Sequence, residues 1–386
     1  MFGAAPIAPL AMRGGLLALL GALGLGTGCG RLNFSAPPAV DDGGPMDAPP
    51  VPGVICLTDR TKIMSLPAKV DLAISGLSDG SYAAVWVDPS GATPAQGMLL
   101  EHNHRLRAQV ALPAITDSRI GAITDVGQKL VISTGSGASQ TTWTANHDLT
   151  AVTSEASFNG YVMAHGQYPS DTNKAPRVYV TATGSSVMAA YIADDGLINQ
   201  ASTVSRGTSK QVTDLTCADG PDHSHCVWAE AITSINGNSQ CTASDVRLQP
   251  VPSIPGGPVL SSDCYDVRTS SGPDVADSMM VVWTTATHSV ESRYVGGSGL
   301  DMAHTIAPSG SAPKIQFDGT LFWISWLDGQ GVLQLASYNG MGTFAYYSRP
   351  GWLPLGPEAF ELARQGNQTV LAVVTDYGLN ILQMCN

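Results

Sequence analysis

Two His-x-His pairs are the residues best placed by type and spacing to do chemistry: His102 and His104 in EHNHRLR, and His223 and His225 in PDHSHC. Residues i and i+2 of a strand share a face, so either pair could chelate a divalent cation. Glu101 or Asp222 would complete such a site only if the backbone bends. The plainer reading is polar histidines in exposed turns. Five carboxylates, Asp71, Asp125, Asp214, Asp266 and Glu361, sit beside apolar runs. If the fold brings them together, they could bind a cation or perform acid–base work. Solvated surface carboxylates are the alternative. Gly135-Ser136-Gly137 and Gly297-Ser298-Gly299 are too short for a nucleophile elbow. The chain has no phosphate-binding Gly loop, CxxC, EF-hand loop or HExxH. No cofactor is expected beyond such a cation.

Seven cysteines are present. Cys29 lies at the end of an N-terminal apolar run, and the other six are Cys56, Cys217, Cys226, Cys241, Cys264 and Cys385. Six cysteines allow fifteen connectivities. Position favours three pairs. Cys217 and Cys226 flank a short loop, Cys241 and Cys264 bracket a Pro-rich excursion, and Cys56 and Cys385 lie near the two ends of the folded part. Reduced, buried thiols are the alternative.

The elements that must position these residues repeat along the chain. Asp318–Tyr338 reads as a strand, an Asp-Gly-Gln-Gly turn and a second strand. Similar apolar centres recur at Trp86, Ile132, Tyr191, Trp228, Trp283, Trp326 and Val374, with spacings of 37 to 59 residues. A period of 40–50 residues with about four short strands per unit is what β-propeller blades need. The expectation is an all-β fold over residues 54–386, a single propeller of seven blades, each a four-stranded antiparallel sheet. The recurrent Trp would pack between blades, and a carbohydrate-stacking platform is the functional alternative. Trp143–Pro176 and Ile232–Asp263 depart most from the period and are where binding loops would lie.

Charged residues make up 13% of the chain and the formal net charge is −12. Such a surface repels phosphate backbones, which argues against nucleic-acid binding. Residues 14–28 form an apolar run after Arg13, a signal-peptide pattern too short for a membrane span. The run ends Gly26-Thr27-Gly28-Cys29, which resembles the lipobox of bacterial lipoproteins, with Gly26 where Leu is usual. The resemblance implies cleavage after residue 28 and lipidation of Cys29. Removal of Cys29 with the leader by an ordinary secretory peptidase is the alternative. Met12 is a second candidate start. Gly30, where an Asp would imply inner-membrane retention, points to the outer membrane, with surface exposure or release as further options. Residues 29–53, rich in Pro, Gly and Asp, read as the lipidated Cys and a disordered tether, with a root-mean-square reach of roughly 25–30 Å.

Residues 54–386 resemble bacterial β-propeller proteins in general. The Asp box, the WD40 pattern and the kelch double Gly are all missing, so the resemblance implies architecture and not activity. The expected protein is a monomeric cell-envelope lipoprotein whose propeller binds a protein or glycan without catalysis. The alternative is a polysaccharide-degrading hydrolase or lyase on the same fold.

Overall fold

The apolar runs around Trp86, Trp283 and Trp326 become strands buried along their whole length. A strand that is apolar on both faces needs a covering layer on each side, and stacked sheets supply it. The computed structural model describes residues 54–63, 66–136, 139–159, 162–165, 178–183, 186–192, 197–207, 212–219, 224–231, 239–246, 258–272, 278–296, 299–339, 344–348, 352–366 and 368–385. The expected leader, Cys29 and the tether lie outside them. No helix occurs among the described residues.

The chain begins with β1 (Val54–Thr61) and then lays down antiparallel sheets in order. The first holds β2 (Asp71–Gly76), β3 (Tyr82–Val87), β4 (Ala95–Leu100) and β5 (Leu106–Leu112). The second holds β6 (Arg119–Asp125), β7 (Leu130–Ser136), β8 (Ser139–Ala145) and β9 (Thr153–Asn159). The third holds β10 (Val162–His165), β11 (Val178–Thr183), β12 (Ser186–Ile192) and β13 (Ile198–Gly207). The fourth holds β14 (Val212–Asp219), β15 (Ser224–Ala231), β16 (Ser239–Val246) and β17 (Val259–Ser261). The fifth holds β18 (Tyr265–Ser271), β19 (Met279–Thr284), β20 (Val290–Gly296), β21 (Gly299–Leu300) and β22 (His304–Ala307). The sixth holds β23 (Ser311–Phe317), β24 (Phe322–Leu327), β25 (Leu333–Tyr338) and β26 (Phe344–Ser348). The last holds β27 (Phe360–Gln365), β28 (Gln368–Thr375) and β29 (Gly378–Cys385), with β1 on its outer edge.

Six of the sheets are four-stranded. The fifth corrects the expectation of uniform four-stranded blades. Its outer edge is split, with β21 pairing the Val295–Gly296 end of β20 and β22 pairing the Val290–Ser292 end. Each innermost strand lies against that of the next sheet, and β27 returns to β2, so the sheets close a propeller ring.

Apolar side chains fill the spaces between neighbouring sheets. Trp86, Leu72 and Tyr82 meet Ala363, Val370 and Ile381 between the first and last sheets. Trp323, Leu335 and Leu371 do the same between the sixth and last. Trp86, Trp228, Trp283 and Trp323 are fully buried, which makes them inter-sheet packing and not a stacking platform. Backbone-directed polar contacts also cross the gaps: Ile120 N–H donates to Asp71, and Phe317 N–H donates to Ser270 Oγ.

The ring closes through β1, which pairs antiparallel with β29 from Val54↔Cys385 to Thr61↔Leu379. The register shifts between Ile55 and Leu57, which places Cys56 at the bulge. The side chains of Cys56 and Cys385 lie outside the described residues. Gly378 opens β29 at φ +128°, and a Cβ there would collide with the Thr61 carbonyl. Only glycine fits this close approach. In the fourth sheet, Cys217 and Cys226 are disulfide-bonded across a register pair, with Cα atoms 4.1 Å apart. A second disulfide joins Cys241 to Cys264, with Cα atoms 5.7 Å apart.

Candidate functional site

The first residues of the innermost strands carry most of the charge that faces the ring's axis. Four of these strands start with a β-bulge. The register shifts between Ile120 and Ala122 in β6, Val212 and Asp214 in β14, Tyr265 and Arg268 in β18, and Ser311 and Lys314 in β23. A bulge adds a residue and re-aims the side chains beside it. Asp266 and Ala312 lie inside two of these bulges at φ 49° and 51°. Arg268 and Lys314 follow each of them by two residues and occupy matching places in adjacent sheets.

An ion network results, crossing from the fourth sheet to the last. Arg268 contacts Asp214 at 3.2 Å and Glu358 at 3.5 Å. Lys314 bonds Glu358 and contacts Glu361 at 3.3 Å. Lys314 is only 2% exposed, while the side chains of Asp214, Arg268 and Glu361 are each about one-fifth to one-quarter exposed. These groups are enclosed by protein and still reached by solvent, as befits the wall of a narrow channel. Asp71, at the start of β2, is 9% exposed and accepts from Ile120 N–H at 3.1 Å.

Each shifted pKa has a legible cause. Burial pushes Asp71 up to about 7, Glu358 pushes it the same way, and the Ile120 N–H, Lys314 and Arg119 oppose them. Burial also raises Asp214, with help from Asp266 and Glu358, and this outweighs the Arg268 guanidinium beside it. Burial works to raise Glu358 too, but Lys314 and Arg268 prevail and bring it to about 2. Burial would lower Lys314, and its two carboxylate partners instead hold it above its ordinary value. Asp71 and Glu358 therefore titrate far apart. One carboxyl exchanges its proton near neutrality and the other stays ionised, the pattern that separates an acid from a base in catalytic pairs.

Of the five carboxylates singled out in the sequence, Asp71, Asp214, Asp266 and Glu361 belong to this cluster. Asp266 is exposed on its bulge and acts on Asp214 and Arg268 through its charge. Asp125 does not belong. It ends β6 at the opposite face, where it accepts from Ser78 N–H at 2.6 Å and Gly127 N–H at 2.7 Å, and lies 3.0 Å from His147 Nε2. It pins two hairpin turns together. Glu358, Arg268 and Lys314 were missed, because attention to carboxylates alone passed over the bases that organise them. Superposing Tyr265–Arg268 on Ser311–Lys314 by the repeat period would have exposed the two cations.

The histidine pairs are corrected too. His102 and His104 lie in the turn joining β4 to β5, not on a strand. His102 is exposed, whereas His104 is fully buried at φ 65° with its ring 5.5 Å from that of Tyr82. The two therefore do not share a face. His225 is 4% exposed on β15, opposite Ala218 and Asp245, and is not an exposed turn residue. His223 lies outside the described residues. Among the described residues, no three His, Cys, Asp or Glu are grouped as metal ligands.

The register also orients the faces. Starts of innermost strands pair with ends of second strands, as in Asp71↔Val87 and Ser311↔Leu327. The hairpins at Asp88–Gly91 and Asp328–Gly331 therefore share the face on which the ion network opens. No protein-family model matches the chain, and no curated protein matches it in sequence. Its fold is similar to that of a lectin from Burkholderia pseudomallei, with a TM-score of 0.61 at 13% identity over 81% of this chain and 95% of that one. It is also similar to the WD40 domain of a Toxoplasma gondii coronin, with a TM-score of 0.50 at 11% identity over 85% of this chain and 83% of that one. These likenesses establish a β-propeller fold.

Proposed function

We propose that the protein is a non-catalytic binding or scaffold module of the cell envelope that meets a protein or glycan with its channel-mouth face. The observation that carries this reading is the network Asp214–Arg268–Glu358–Lys314–Glu361. Each of its carboxylates is matched by a fixed cation, which gives a patterned, rigid floor and leaves no free carboxylate pair for bond cleavage. The propeller fold, shared with a lectin and a WD40 domain, accords with a binding role. The lipobox-like Gly26–Cys29 and the Pro-rich 29–53 stretch support a lipid anchor at Cys29 and a tether, with the outer membrane as the location. The module acts as a monomer, needs no cofactor, and closes its ring with a third disulfide, Cys56–Cys385.

The test is incubation of the purified protein with a panel of envelope and environmental polysaccharides, read by mass spectrometry of the supernatant. Retention on a polysaccharide or on an envelope protein without new saccharides supports the module. New small saccharides overturn it. They would favour the second reading, a polysaccharide-degrading enzyme, for which the divergent titration of Asp71 and Glu358 is the specific observation. In that case Asp71→Asn abolishes product formation.

A further inference from the structure

A cavity of about 340 Å³ lies on the channel-mouth face of the first sheet, beside its second and third strands and not at the axis. The connector leading into β2 forms one wall and the hairpin after β3 forms the other. The internal repeat shows what is unusual here. Trp86 and Trp228 hold equivalent places in their sheets, and each precedes a carboxylate by two residues. In the fourth sheet, Trp228 Nε1 donates to Glu230 at 2.7 Å. In the first sheet, the shorter Asp88 folds back onto its own turn and accepts from Ser90 N–H at 2.9 Å and Ser90 Oγ at 2.7 Å. Trp86 Nε1 is left buried with no hydrogen-bond partner, on a residue that lines the cavity. A buried donor without an acceptor is uncommon in native proteins and calls for an occupant.

The remaining lining narrows the chemistry. Lys69 and Gln96 face the same space with uncommitted donors, and Asp88 Oδ2 is held only by a long 3.4 Å contact from Thr93. Pro67, Pro89 and Pro94 supply rigid apolar surface between these polar groups. A volume near the low end of small-molecule sites suits one compact ligand and not a chain. Several donors, one acceptor and an apolar wall match a ring that carries hydroxyls on its rim and C–H groups on its face. We propose that this cavity is a binding subsite for a single pyranose unit, such as the terminal residue of a glycan. It stands apart from the ion network and holds whether or not the channel mouth binds anything.

Saturation-transfer NMR on the purified protein with methyl glycosides of glucose, galactose, mannose, fucose, N-acetylglucosamine and glucuronic acid tests it. At least one glycoside should receive saturation. Lys69→Ala combined with Gln96→Ala, both in places where folding is not at stake, should weaken its binding at least tenfold. Trp86→Phe, which removes only the indole N–H donor, should do the same if it folds. Asp214→Asn in the channel should leave it unchanged. Absence of transfer to every glycoside overturns the proposal, as does a signal insensitive to the double variant. Loss on Asp214→Asn alone also overturns it, by placing the sugar at the channel mouth.

Discussion

Replacing Lys314 with Met removes the cation that holds two carboxylates from different parts of the last sheet's approach. Glu358 and Glu361 would then face each other across a desolvated gap, with only Arg268 to compensate Glu358. Removing one member of a buried pair costs about 3–5 kcal/mol. The Glu358 side chain is 36% exposed, so solvent softens the penalty, and about 3 kcal/mol is expected. For a folded part of this size that is a fall of about 4 °C in Tm. The pH dependence is sharper than the magnitude. In the wild type Glu358 is held at about 2, so its contribution is present above its ordinary value and lost as pH falls toward 2. The variant lacks that contribution, so its deficit should be largest at pH 7 and shrink at pH 4. Urea midpoints of wild type, Lys314→Met and Lys314→Met/Glu358→Gln at both pH values decide the matter. A pH-independent deficit, or no recovery in the double variant, would refute the ion-network account.

Asp71, raised to about 7, binds a proton more tightly folded than unfolded, so its stabilising contribution is present below about pH 4 and lost as pH rises through 7. Asp71→Asn should abolish up to about 4 kcal/mol of that dependence, read as urea midpoints at pH 5 and pH 8. Gly378→Ala should loosen the seam by about 2 kcal/mol or more, with faster hydrogen exchange in β1 and β29 and little change in β24. The proposed Cys56–Cys385 bond closes a loop worth on the order of 5 kcal/mol in the chain-entropy model. Non-reducing peptide mapping should find it, and Cys56→Ser should lower Tm.

The architecture was legible because burial on both faces leaves a sequence signal. The run Leu321–Leu327 is apolar without alternation, and Asp328–Gly331 marks the turn that follows it. The site was only half legible. A bulge such as the one between Ser311 and Lys314 has no compositional signature, yet it accompanies the inward placement of Lys314. Asp125 was misplaced because a strand's residue types do not say which end meets the axis with its charge exposed to the cluster. Glu358 lies in a connector, where sequence alone offers no period to align. His104 illustrates a further limit: the φ of 65° that turns it inward belongs to the hairpin and not to the His-x-His spacing.

The seam between β1 and β29 has a mechanical meaning. β29 starts on the channel-mouth face and ends, at Cys385, on the other, so Val54 leaves the ring from the side facing away from the ion network. A pull on the chain preceding Val54, directed away from that side, runs along the axis of β1. It loads the seven register pairs of the β1–β29 ladder together, in shear, instead of opening them one after another. The ring would hang by its most cooperative edge, with its charged mouth turned outward from whatever holds the other end.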